Sequence, residues 1–184
     1  MILVLLSALI GFSPSAANAQ NQMAPADSVR QEAVEKLNSL TAMRENLAAT
    51  LDGRQEPITE ETFKSVCAPA GKALKEWAAS KGYQARQVSA KFRNPAHAPT
   101  EIEAKVLARF QKKTPAQDGP VFEPGLLNGK PGHYVFVPIR VKSSCLHCHG
   151  EKDKRPEFVK LKYPDDRAFG FKAGDLRGMY SVWF

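Results

Sequence analysis

The chain has 184 residues, 43% of them hydrophobic and 24% charged, with a formal net charge of +7. That is long enough for one domain with its own core and too apolar for a disordered chain. The basic balance would suit nucleic acid, yet the sequence has no arginine-rich helix and no base-stacking aromatic platform, so nucleic acid is excluded as an expected partner.

The first residues, MILVLLSALIGFSPSAANAQ, are apolar from Ile2 to Phe12, break at Pro14 and end in Ala17-Asn18-Ala19. An A-x-A pattern after a short apolar run reads as a secretory signal over residues 1–19, cut before Gln20. No Lys or Arg precedes the run, and a buried N-terminal helix is the competing reading. The run is shorter than the roughly 20 apolar residues that cross a bilayer. No later segment qualifies as a stable membrane span, so the expected location is periplasmic or secreted and soluble.

Residues 20–58 read as a helix and a linker. Within 26–51, Val29, Ala33, Leu37, Leu40, Met43, Leu47 and Leu51 recur at spacings of three and four, with Arg30, Glu35, Lys36, Arg44 and Glu45 off the stripe. Asp27 or Ser28 caps the start and Asp52-Gly53 ends it. Such a stripe packs against its own domain or against a second copy, so a homodimer through the 26–51 helix is a candidate contact.

Residues 59–184 read as the main domain. A helix over 59–81 starts at Thr59, followed by Glu60 and Glu61, and closes at Gly82. Phe63, Val66, Cys67, Ala70, Leu74, Trp77 and Ala78 share a face, and Pro69 predicts a kink or break beside Cys67. Residues 83–91 alternate as a strand, and 93–99 form a turn-rich loop. Thr100 and Glu103 make a capping box for a helix to about Lys112. VFEP and HYVFVPIRVK read as strands with GLLNGKPG as the turn between them. After CLHCHG comes a short helix or irregular segment, RPEFVKLKYPDD, and a final strand, DLRGMYSVWF. Helices and strands without strict alternation predict an α+β fold, an antiparallel sheet covered by helices.

Charge is uneven along the chain. Residues 20–61 carry four basic and eight acidic residues, whereas 62–184 carry 22 basic and 11 acidic. The basic part suits steering of an acidic partner, neutralisation of an anionic cofactor, or an ordinary solvated face.

Cys145-Leu146-His147-Cys148-His149 matches C-x-x-C-H, the haem attachment pattern. Two thiols at this spacing reach the two vinyl groups of one haem, and the adjacent imidazole is delivered to the iron. The expected cofactor is therefore one haem c, held by Cys145 and Cys148 with His149 as an iron ligand. The rival readings are a thioredoxin-like redox pair, a Cys145–Cys148 disulfide, and a Cys3His structural zinc site built from Cys67, Cys145, Cys148 and His149. Candidates for the second axial position are Cys67, Met179, Met43, His97, His133 and His147. His147 is too close to His149 in sequence to reach the opposite haem face, and Met179 reads as core of an alternating strand. His97 and His133 sit in loops. Cys67 is the leftover thiol of an odd-numbered set, on an apolar helix face beside a proline.

At these residues the chain resembles the c-type haem proteins with a PAS-like fold whose iron is held by one histidine and one cysteine. The likeness runs from about Phe63 onward and rests on SVCAPAGKAL, VSAKFRNPAHAP, YVFVPIRVKSSCLHCHG, YPDDRAFGFKAGDLRG and the final YSV. It implies a PAS-like fold, Cys145 and Cys148 as the haem attachment, His149 as proximal ligand and Cys67 as distal ligand. It also makes Arg93 and Asn94 part of a loop beside the haem, and leaves His97, where relatives tend to carry Asn-Ala, as a competitor for iron or a neighbouring polar group.

The expected function is redox or gas sensing through a redox or signalling protein partner, with a periplasmic electron-transfer carrier as the alternative. A carrier needs a docking patch, and Lys152, Lys154, Arg155, Lys160 and Lys162 are candidates for it, or with Arg93 for balancing haem propionates. No Ser-His-Asp set, paired-carboxylate cleft or phosphate-binding glycine loop stands out, so an enzyme is not expected. His97 or His133 would serve a peroxidase-like site only if the distal ligand left.

Overall fold

The computed structural model describes residues 25–184; the signal expected over residues 1–19 lies outside them. The elements are α1 (Pro25–Ala49), α2 (Glu60–Val66), α3 (Ala68–Lys81), β1 (Gln84–Val88), α4 (Glu101–Gln111), β2 (Val121–Leu127), β3 (Lys130–Arg140), α5 (Leu146–His149), α6 (Glu157–Lys162) and β4 (Leu176–Trp183). The strands make one antiparallel sheet in the order β1-β4-β3-β2. No described helix is long and apolar enough to cross a membrane.

Alternation along β3 and β4 divides the core between the two faces of the sheet. Val135, Val137, Ile139, Tyr180 and Val182 pack under α1 and α3, against Ala33, Leu37, Leu40 and Leu74. Tyr134, Phe136, Leu176 and Met179 point the other way, onto Val106, Leu107 and Phe110 of α4. The apolar stripe of α1 is thus spent inside its own fold. Met43 lies outside that buried face and is exposed, while Ala48 and Leu51 pack on Val66 of α2.

The helix expected over 59–81 is two helices meeting at Cys67, which is the last cap of α2 and the first cap of α3. Pro69 occupies the first turn of α3, where its missing N–H has no intrahelical partner to lose. Thr59 caps α2 in a box with Thr62, Thr100 caps α4 in a box with Glu103, and Gly82 ends α3 at φ 72°. The stretch read as a long turn is instead a hairpin. β2 and β3 pair as far as Leu127 and Lys130, and Asn128 (φ 51°) and Gly129 (φ 78°) alone make the turn.

Candidate functional site

A cavity of about 710 Å³ opens on the α1/α3 face of the sheet, between the start of α3, β1, the 92–97 loop and the CLHCHG segment. Cys67, Cys145, Cys148 and His149 all line it. Ser143–Cys145 form a 3-10 turn and Leu146–His149 one helical turn, so the segment is a compact helical step. That step places Cys145, Cys148 and His149 on the cavity wall.

The imidazole of His149 is the best-defined group. Its Nδ1–H donates to the carbonyl of Ala168 at 2.7 Å, which leaves the Nε2 lone pair uncommitted to a proton. Arg177 Nε–H donates to that Nε2 at 3.5 Å. Burial, with the charges of Arg177 and Arg93, pushes the His149 pKa well below the ordinary value, so the ring is neutral. Phe171 packs edge-on to it, ring centroids 6.1 Å apart. A neutral imidazole with one nitrogen bonded to a carbonyl is the form that ligates a metal through the other.

The thiols are free, with no disulfide among them. Burial raises the pKa of Cys148 to about 11 and raises that of Cys67, the latter partly offset by the Arg44 charge. Each stays a thiol until a cation or an electrophile displaces its proton. Among the described residues no three His, Cys, Asp or Glu side chains gather closely enough to hold one ion. The tetrahedral Cys3His zinc set is therefore not assembled; its four members stand around a space suited to something larger.

Of the six side chains considered for a second axial position, two line the cavity. Cys67 enters from the α2/α3 junction, and His97 from a 3-10 turn over Pro95–His97. Met179 is fully buried in the α4-side core. Met43 is exposed, His133 lies tilted against Phe184, and His147 is exposed with its Nε2 3.4 Å from Asp52. Arg93 and Asn94 both reach the cavity wall. Arg93 is already engaged, donating to the Cys148 carbonyl at 2.8 Å and pairing with buried Asp166. Asn94 uses its side-chain oxygen to accept from Ala96 N–H at 3.0 Å, starting the His97 turn.

Sequence reading missed two arginines here. Arg44 falls on the buried side of α1, in the series Leu37, Leu40, Arg44, Ala48, Leu51, not off it. One terminal nitrogen of Arg44 is buried without a hydrogen-bond partner. Arg177, one residue before Gly178 in β4, reaches the cavity and binds Ser89 Oγ at 2.9 Å. Burial lowers the pKa of Arg177 to about 10, which still leaves it cationic at neutral pH. Apolar side chains such as Leu74, Val88 and Ile139 set beside these two arginines suit an apolar ligand that carries acidic groups.

An antiparallel sheet with a thiol-, imidazole- and arginine-lined cavity under its helices defines an α+β ligand-binding domain. The chain matches the Tll0287-like family model, described as Tll0287, over residues 17–184, and belongs to that family. It is similar to the solved structure of the cyanobacterial haem protein Tll0287, with 44% identity and a TM-score of 0.74. That match covers 88% of this chain and 96% of the other. No curated protein matches the chain.

Proposed function

We propose that this chain is an exported c-type haem protein with a PAS-like fold that senses redox state or a diatomic gas and does not act as an enzyme. One haem c is attached through Cys145 and Cys148, with His149 and Cys67 as its axial ligands. The single observation that carries this reading is the His149 geometry: Nδ1–H bonded to Ala168, so that the Nε2 lone pair, met by Arg177 Nε at 3.5 Å, lies at the cavity that both attachment thiols and Cys67 line. Likeness to a haem protein at 44% identity supports it.

The residues present fit that group. Arg44, with its buried unpartnered nitrogen, and Arg177 would supply cations for two propionates in a cavity that Leu74, Val88, Phe92 and Ile139 also line. Gly71 of α3 presents bare backbone to the cavity, one helical turn from Cys67. When bound, the iron supplies a one-electron couple and, once an axial ligand leaves, a site for a small gas. The chain's part is to fix His149 on one side and to hang Cys67 from a junction between two short helices on the other.

The sensor reading is favoured over the electron carrier by the fate of the expected docking patch. Lys154 pairs with Glu151 at 2.8 Å, Lys160 with Glu157 at 3.3 Å and Lys162 with Glu60, while Arg155 is buried on Asp166. Lys152 rests over the Phe169 ring. A surface so internally paired has little charge to offer a docking acidic protein. A signalling partner, or a second copy, would meet the outer face of α1, where Met43 is exposed.

Intact mass of the chain matured with haem-attachment machinery, with optical and EPR spectra of wild type and Cys67→Ser, tests the proposal. One added haem and a thiolate-type low-spin ferric signal that is lost in Cys67→Ser are expected. A mass with no added tetrapyrrole overturns the haem reading, and identical spectra overturn Cys67 as a ligand.

A further inference from the structure

The segment from Tyr163 to Phe171 is threaded between two parts of the site. Arg167 N–H donates to the Phe92 carbonyl at 3.0 Å on one side. On the other, Gly170 N–H donates to Gly150 O at 2.6 Å and Phe171 N–H to His149 O at 3.1 Å. In its middle sits Asp166, whose side chain is 0% exposed. Oδ1 accepts from Ala168 N–H at 2.8 Å and lies 3.3 Å from Arg93 Nε; Oδ2 accepts from Arg155 Nη1 at 2.7 Å. The two guanidiniums are themselves 8% and 10% exposed.

These bonds form one chain of control over the imidazole. Ala168 is gripped at both ends: its N–H by Asp166, its carbonyl by the His149 Nδ1–H. Arg93 ties the same carboxylate to the Cys148 carbonyl, one residue before His149. A carboxylate buried between two cations is costly to assemble, and a single surface pair would have sufficed to staple a loop. We propose that Asp166 is the positioning residue of His149: it aims the Ala168 carbonyl, and Arg93 and Arg155 hold it in place. The acceptor so aimed sets which ring nitrogen carries the proton and how the ring is rotated. The inference rests on the haem reading only for its consequence at iron; the hydrogen-bond control itself needs no cofactor.

The full chain tests it in two forms. In the haem-free protein, ring ¹⁵N shifts of His149, assigned with His149→Gln, are expected to give a pure Nδ1–H tautomer in wild type and a mixture in Asp166→Asn. In the haem-loaded protein the same variant is expected to turn one ferric low-spin EPR signal into several. Should Asp166→Asn not fold, Arg155→Met loosens the same carboxylate and is expected to give the mixture, while Arg155→Lys restores the single tautomer. A folded Asp166→Asn or Arg155→Met with an unchanged tautomer overturns the inference; a staple alone would lower the melting temperature and leave the ring as it was. Wild type without covalent haem overturns the proposed function, and the tautomer test then decides the inference by itself.

Discussion

The Arg44 guanidinium lies across the face of Tyr180, its central carbon 5.2 Å from the ring centroid. The stack holds the cation at the cavity wall with one nitrogen unpartnered, so Arg44 waits for an anion. Leaving a buried donor unmet costs ~1–3 kcal/mol, against ~0.5–1 kcal/mol gained from the ring. Arg44→Leu is therefore expected to stabilise the haem-free chain by about 1 kcal/mol, and to lower the haem retained per chain. A thermal melt of the haem-free variant checks the sign; a lower midpoint than wild type would show that the cation is not held at a cost.

Gly71 offers a two-way test of the cavity. A Cβ there would meet only Gln87 Nε2, at 3.6 Å, an ordinary contact. Gly71→Ala is expected to stabilise α3 by ~0.5–1 kcal/mol through helix propensity. Gly71→Leu would fill ligand space, and the expected outcome is a folded chain with little haem by mass spectrometry. Full haem loading in Gly71→Leu would place the ligand elsewhere.

Gly178 sets how closely β1 approaches β4 beside the cavity. A Cβ there would run into the carbonyl of Val88, a backbone atom that cannot swing aside. Gly178→Ala is expected to cost ~1–3 kcal/mol, the usual range for overpacking, read as a drop in the urea midpoint. A neutral substitution would mean that β1 is free to shift.

Asp166 predicts an acid limb. Burial alone would raise its pKa; the Ala168 N–H, Arg155 and Arg93 more than reverse this and hold it below the ordinary carboxylate value. A depressed folded-state pKa contributes stability that is complete above the unfolded value of about 3.9 and is lost as pH falls through the folded one. Urea midpoints of the haem-free chain from pH 7 to 3 are expected to fall at the acid end for wild type. Asp166→Asn, destabilised by ~3–5 kcal/mol at neutral pH through two stranded cations, should show a flatter limb. Parallel slopes would remove Asp166 from the acid response.

Local chemistry was legible where one residue decides. Thr59, Thr100 with Glu103, Gly82 and Pro69 mark helix ends by their own side chains or φ, and each element starts or stops there. The C-x-x-C-H step and Cys67 could be picked out because their chemistry is rare in sequence. The tightness of the hairpin turn was hidden because Gly125, Pro131 and Gly132 read as turn residues, although Pro124 already read as strand. β2 is an edge strand that tolerates a proline. The glycines are bare for tertiary reasons: a Cβ on Gly125 would strike Tyr134 at 2.8 Å, and one on Gly132 would strike Trp183 at 2.6 Å. Arg44 and Arg177 were missed because a charge within an apolar series reads as solvent-facing until a cavity is seen beside it. Asp166 lies in the YPDD stretch that carries the resemblance, but nothing local marks it as a buried anchor, since its partners lie 73 residues before it at Arg93 and 11 before it at Arg155.

Cys67 lies at the knuckle of two short helices, and the one before it, α2, packs through Val66 on Ala48 and Leu51 at the far end of α1. The sulfur is thereby hung from a crank. Rolling the long helix about its own axis would swing Val66 and tilt the thiol relative to the fixed imidazole. Work done on that sulfur would, by the same linkage run backwards, turn the helix.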